Sequence, residues 1–362
     1  MQFFFGIAYS SFLILPKFLS SHLGASDGRI GLISAMFGLA NVSIAWFVPR
    51  ALRRLDVGGT ARIACLIMGV ASAGFALVQD TGVFAATFRA MQGVSWALMF
   101  SATSFAVTQF LPASRMARGI AISSGTTLLT NAIAPSLAEP MLSSFGPRVT
   151  FIAAAASAFV AVLFALRIPK TSEPHAKTNE TRSSAPLPVK LLVSASVLGV
   201  ACGVVFTFYQ PLALSRGITR VADFLIGHTI AAVALRLLVG SLLEKLGARR
   251  MAGYSLCAYG IVVAVLATLS PGLLFPMGLA FGCVHGAFFP ALMTLGLESA
   301  TAAERPRVMT WINATFNVGL LVVAFLGPVA NEYGYAALFV PVGLATTLTA
   351  LAVFREPARI RT

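Results

Sequence analysis

Arg89, Gln92 and Trp96 recur at i, i+3 and i+7 within an apolar stretch over residues 82–108, which places them along one face of a helix. An arginine inside a membrane helix costs about 2.5–3.5 kcal/mol on insertion scales, so it faces protein or water rather than lipid. The chemistry on offer is recognition of an anion or a part in coupling. The alternative is a side chain that snorkels to the outer interface, about two turns away. Asn131, Tyr209, Gln210, Asn313 and Asn317 lie in other apolar stretches. Amide and aromatic groups facing a common cavity suit a polar organic ligand; the same groups equally serve as hydrogen bonds between helices. His285, beside Gly286, is read either as a neutral buried imidazole satisfied by a neighbour or as a proton or substrate group.

Carboxylates are scarce where coupling chemistry would need them. The first four apolar stretches contain none, and Glu139, Asp223, Glu298 and Glu332 lie at the ends of later ones. Protons as a coupling ion would therefore have to use His285 or Glu139; facilitated diffusion needs neither. His22, His175, His228 and His285 have no metal-ligand spacing, and no phosphate-binding G-x-x-x-x-G-K-[ST] occurs. No nucleophile–base constellation is present either. These features predict a non-enzyme with no cofactor and no metal.

The elements that must carry these residues are about a dozen long apolar runs. They are expected near 3–21, 28–49, 60–79, 82–108, 118–139 and 148–168, then 190–213, 222–243, 250–269, 272–297, 307–330 and 335–354. Each matches the roughly 20 helical residues that cross a bilayer core. Of the 362 residues 57% are hydrophobic and 10% charged, too little polar surface for a water-soluble globule. Residues 169–189, rich in Pro, Ser, Thr and charge, form the one substantial linker, dividing a six-helix bundle at 1–168 from another at 190–362. The first run lacks a basic lead and a small-residue cleavage site, so it is a retained helix, before which a short cytoplasmic lead is expected.

The net charge of +14 does not point to nucleic acid, because the cations cluster in alternate loops. Arg50, Arg53, Arg54, Arg62, Arg115, Arg118, Lys245, Arg249, Arg250, Arg305 and Arg307 share one side with the linker and the C-terminal arginines. The other side holds only Lys17, Arg29, Arg148, Arg216 and Arg220. The positive-inside rule then puts both termini and the linker in the cytoplasm; the Ala- and Arg-rich composition and short loops suit a bacterial inner membrane. The halves also echo one another at an offset near 190. Leu111–Arg118 matches Thr301–Arg307, and Val94-Ser95-Trp96-Ala97 matches Val284-His285-Gly286-Ala287.

The strongest local motif is Gly240-Ser241-Leu242-Leu243-Glu244-Lys245-Leu246-Gly247-Ala248-Arg249-Arg250, between the eighth and ninth runs. It resembles the G-x-L-x-D-x-x-G-x-R-R loop of the major facilitator superfamily, with Glu244 for the usual aspartate. Arg89-Ala90-Met91-Gln92-Gly93 is similar to that family's R-x-x-x-G segment. The resemblance implies an all-α membrane protein of twelve transmembrane helices in two pseudo-symmetric six-helix bundles. It also implies alternating access to a site between the bundles. In the family the acid and the basic residues after it hold the cytoplasmic gate, a role that falls here on Gly240, Glu244, Gly247, Arg249 and Arg250. Arg236, one turn earlier, is expected to tie to Glu244 or to inner carbonyls. The corresponding first-half loop, Pro49 to Gly58, departs from the pattern: Arg53 stands at the acid and Asp56 at the second glycine. The antiporter motif G-x-x-x-G-P is not reproduced around Gly125 and Pro135. The expected function is secondary transport of a small organic solute by a monomer in the lipid bilayer, with efflux of sugars or drugs as the nearest likeness. Uptake of an organic anion through Arg89 and a non-transporting sensor or assembly factor are the alternatives.

Overall fold

The computed structural model describes residues 1–44, 47–110, 113–169, 188–300 and 304–354. Most of the linker, the C-terminal arginines and parts of both echoing loops, Leu111–Arg118 and Thr301–Arg307, lie outside them. Among the described residues the chain is helical with no strand. It forms two compact units: Met1–Thr178 with Arg220–Ala222, and Asn179–Thr219 with Asp223–Thr362.

The first unit begins with α1 (Gln2–Ser10) and α2 (Leu15–Leu23), joined by a 3-10 turn over Ser11–Ile14. Next come α3 (Asp27–Ile44), α4 (Val48–Phe75), α5 (Val83–Phe110) and α6 (Ala113–Ala165). The second unit carries α7 (Val189–Ser215), all but the first residue of α8 (Ala222–Leu246), α9 (Ala248–Leu266), α10 (Leu274–Glu298), α11 (Arg305–Leu321), α12 (Val323–Tyr333) and α13 (Ala336–Phe354). Among the described residues, six stretches are long and apolar enough to cross a membrane: Gln2–Leu23, Leu55–Phe75, Gly125–Ala165, Val189–Ser215, Pro271–Glu298 and Arg307–Tyr333. Gly125–Ala165 has 41 residues, about twice what a bilayer core takes, and breaks at Gly146. Large side chains such as Leu77, Phe84, Phe145 and Phe325 are exposed. Such a surface is a liability in water and suits a lipid-facing one.

Backbone geometry supports the internal repeat, at the Asp56–Gly247 match and at two pairs of positions where sequence matching is silent. Among the described residues, positive φ occurs at Gly24, Asp56, Gly146, Gly217, Gly247 and Gly334. These fall into three pairs, Gly24 with Gly217, Asp56 with Gly247 and Gly146 with Gly334, each about 190 residues apart. Asp56 therefore takes a glycine's conformation (φ 59, ψ −177), a region costing a non-glycine residue about 1–3 kcal/mol. Its Oδ1 accepts a 2.6 Å hydrogen bond from the Gly59 N–H, capping the helical segment that follows. The loop expected over 49–58 is in this way only a break within α4, and the departure from the family's glycine is a substitution that keeps the turn.

Helix pairing repeats as well. In the first unit α1 packs on α6, α3 on α5, and α4 on α5 and α6; in the second α7 packs on α11 and α9 on α10 and α13. Several crossings bring backbone against backbone. A Cβ on Gly93 would meet the Phe37 carbonyl oxygen, so α5 can approach α3 only with glycine there. Gly199 and Gly319 face each other's helices in the same manner across α7 and α11, against the carbonyls of Phe316 and Ser196.

Candidate functional site: a buried arginine and a histidine–aromatic cluster

In the first unit the α3–α5 crossing fixes Arg89. Its guanidinium carbon stands 4.8 Å from the centroid of the Phe37 ring, one turn from the glycine contact that brings the two helices together. Arg89 Nη1 donates to Gln92 Oε1 at 2.8 Å, the i,i+3 geometry expected from sequence. Two of the buried donor atoms lack a partner: Arg89 Nε and Gln92 Nε2 make no hydrogen bond among the described residues. No carboxylate pairs with Arg89 there either. An unsatisfied buried donor costs about 1–3 kcal/mol, so two side by side are a standing demand for an acceptor. Trp96, on the same helix face, stacks on Tyr9 of α1 at 4.1 Å, and Tyr9 lies 5.6 Å from Phe37. Tyr9 and Phe37 were not singled out from sequence; both sit inside unbroken apolar runs, and only the packing of α1 and α3 beside α5 brings them to the arginine.

Asn131 belongs to a different network. Its Oδ1 accepts from Ser10 Oγ at 2.8 Å, and Gln2 Nε2 donates to Ser123 Oγ at 2.8 Å, so polar groups join α1 to α6 along their length. Glu139, expected at an outer helix end, is buried and saturated. Lys17 Nζ lies 2.6 Å from its Oε1, and the backbone N–H groups of Val221 and Ala222 donate to its two oxygens at 2.7 Å each. These three residues and Lys17 all fall within the first unit.

In the second unit the polar candidates gather on an aromatic cluster. Gln210 Nε2 donates to Tyr209 Oη at 3.2 Å, and both side chains are fully buried. Tyr209 stacks on Phe224 at 4.4 Å; Phe224 meets Phe281, which stacks on the His285 ring at 5.8 Å. His285 Nδ1 is 3.4 Å from Tyr259 Oη, the satisfied-histidine arrangement. The His228 ring lies 5.4 Å from that of His285, and both His228 nitrogens are buried with no hydrogen-bond partner among the described residues. Asn313 and Asn317 share a face of α11 as their spacing required, where Asn317 Nδ2 donates to the Asn313 carbonyl at 2.7 Å.

Around the motif, Gly247 takes φ 77 and opens α9, which explains the glycine. Glu244 is exposed, and no ion pair joins it to Arg236 among the described residues.

The Major Facilitator Superfamily model matches residues 1–235 and 219–361. No curated protein sequence matches. Among solved structures, a point mutant of the nucleoside transporter NupG superposes with TM-score 0.83 at 15% identity, covering 98% of each chain. A D-xylose–proton symporter superposes with TM-score 0.77 at 14% identity, covering 99% of this chain and 96% of that one. A mutant peptide transporter in complex with sulfate gives 0.79 at 15% identity, with 97% and 92% covered. Matches over nearly the whole length, together with the repeated helix pairing, leave one conclusion: this chain is a member of the Major Facilitator Superfamily, a multi-pass membrane protein of its transporter fold.

Proposed function

We propose that this chain carries a small organic anion across the membrane by alternating access, with Arg89 as the cation that binds it. One observation carries this reading: a guanidinium with no carboxylate partner among the described residues, whose buried Nε, like Nε2 of the Gln92 it bonds, is an unsatisfied donor. An anionic oxygen supplies both the missing charge and the missing acceptor. The remaining architecture is proposed with it: twelve spans in two six-helix halves, 1–168 and 190–362, around a cytoplasmic linker, both termini cytoplasmic, in a bacterial inner membrane. His285, Tyr209 and Gln210 are the second half's candidates for the polar remainder of the solute, and Asn131, Asn313 and Asn317 hold helices. Glu244, with Gly240, Gly247, Arg249 and Arg250, acts at the cytoplasmic gate.

The test is a thermal-shift screen of the detergent-purified protein against carboxylates, sugars, amino acids and cationic drugs, repeated with Arg89→Ala. A ligand stabilises by RT ln(1 + [L]/Kd), about 2.7 kcal/mol at a hundredfold excess over Kd. Carboxylates are expected to shift the unmodified protein and to lose most of that shift in Arg89→Ala. Stabilisation by neutral or cationic solutes that survives the substitution would replace this reading with efflux of such solutes.

A further inference from the structure

The anion reading leaves the rest of the solute undefined, and the surroundings of Arg89 restrict it. Phe37 lies against the guanidinium, Tyr9 against Phe37, and Trp96 against Tyr9 with a 30° angle between the ring planes. All three rings are only part-buried, as is Arg89, whereas Gln92 behind them is fully buried. The three rings therefore keep surface that protein does not cover. Of the polar side chains beside the cation, Gln92 already accepts from Arg89 Nη1 and keeps an unsatisfied Nε2.

A ligand that satisfies both donors needs at least two acceptor oxygens close together, which a carboxylate provides in the planar geometry a guanidinium matches. Reaching the sealed Nε requires the arginine side chain to turn, and that turn releases Gln92 to bond the same ligand. Whatever is attached to the carboxylate then meets Tyr9, Phe37 and Trp96. Flat ring faces favour offset or edge-on contact with another ring over an equally bulky saturated group, by roughly 3–10-fold in Kd.

Building on the Arg89 reading, we infer that the site takes an aromatic carboxylate, its carboxylate on Arg89 and Gln92 and its ring against the Tyr9–Trp96 pair. The probes are benzoate, cyclohexanecarboxylate, which keeps the charge and bulk but is not flat, and benzyl alcohol, which keeps the ring without the charge. Affinities are measured by thermal shift or calorimetry on the full-length protein in detergent. Benzoate is expected to bind about 3–10-fold tighter than cyclohexanecarboxylate, and benzyl alcohol not detectably. Trp96→Leu should bring the two carboxylates to equal affinity while leaving cyclohexanecarboxylate binding within about twofold. The ratio on the unmodified protein needs no variant, so a Trp96→Leu protein that fails to fold does not rescue the idea. Equal affinity for the two carboxylates, with both lost in Arg89→Ala, would overturn the aromatic class and leave the anion site standing. Absence of any Arg89-dependent carboxylate binding would overturn both.

Discussion

Glu139→Ala should destabilise the protein by about 3–5 kcal/mol, the range for removing one partner of a buried ion pair. Glu139 and Lys17 have only 8% and 11% of their side chains exposed. The alanine removes the carboxylate from Lys17 and the acceptor from two backbone N–H groups, at Val221 and Ala222, at the start of α8. Helix-start N–H groups have no intrahelical partner to fall back on. For a bundle of this size the expected fall in unfolding midpoint is on the order of 10 °C. Glu139→Gln keeps an acceptor oxygen for the backbone and should cost less than Glu139→Ala. Lys17→Met combined with Glu139→Gln should be milder than the sum of the singles, because no uncompensated charge is left. A midpoint unchanged within about 1 °C for Glu139→Ala would refute the buried-pair account, since even 1 kcal/mol shifts it by about 2–4 °C.

The second large effect is expected at the α7–α11 crossing. Gly199→Val and Gly319→Val each drive a side chain into the facing helix's carbonyl, of Phe316 and Ser196 respectively, where no flexible side chain can yield. Overpacking against side chains costs about 1–3 kcal/mol; against backbone the helices must separate, and each substitution should exceed that range. Gly125→Ala is the internal control. It lies within α6 with nothing within 4 Å of the added Cβ, and helix propensity alone should stabilise it by up to about 1 kcal/mol. The readout is the yield of monodisperse protein and its unfolding midpoint. Equal behaviour of Gly319→Val and Gly125→Ala would show that the crossing is not held by close backbone approach.

The membrane class and the helix positions were legible because twenty-residue hydrophobicity is a property of contiguous sequence. The break at Gly146 falls between the expected runs 118–139 and 148–168; that α4 continues through the loop expected over 49–58 with a break only at Asp56 was not legible, because it depends on whether one residue leaves the helical region. Weak sequence echoes suggested the repeat; the matched positive-φ positions support it independently, since backbone conformation can persist where side chains change. At the candidate site, Arg89 and Gln92 were visible as an i,i+3 pair on one helix. Tyr9 and Phe37 were not, since nothing local separates a ring facing a cation from one of the many packing rings. In the sequence Lys17 stands as one of the few outer-side cations and Glu139 as an isolated acid at a helix end. Their pairing spans 122 positions of sequence and emerges only from the fold.

If Arg89 binds the anion as proposed, its lack of a counter-charge among the described residues makes the carrier's electrical behaviour depend on occupancy. With a monovalent carboxylate bound, the Arg89 site is close to neutral; empty, it holds a full positive charge. A unit charge crossing the whole membrane potential couples to it by about 2.3 kcal/mol per 100 mV, and a site moving through part of the field by a proportionate share. Voltage should therefore act on the return of the empty carrier and hardly on the loaded step. An interior-negative potential would draw the empty site toward the cytoplasm and so favour export of the anion without any coupling ion. Currents from proteoliposomes on a solid-supported membrane would test this: charge movement confined to the empty transition is expected, and equal movement in both would argue against it.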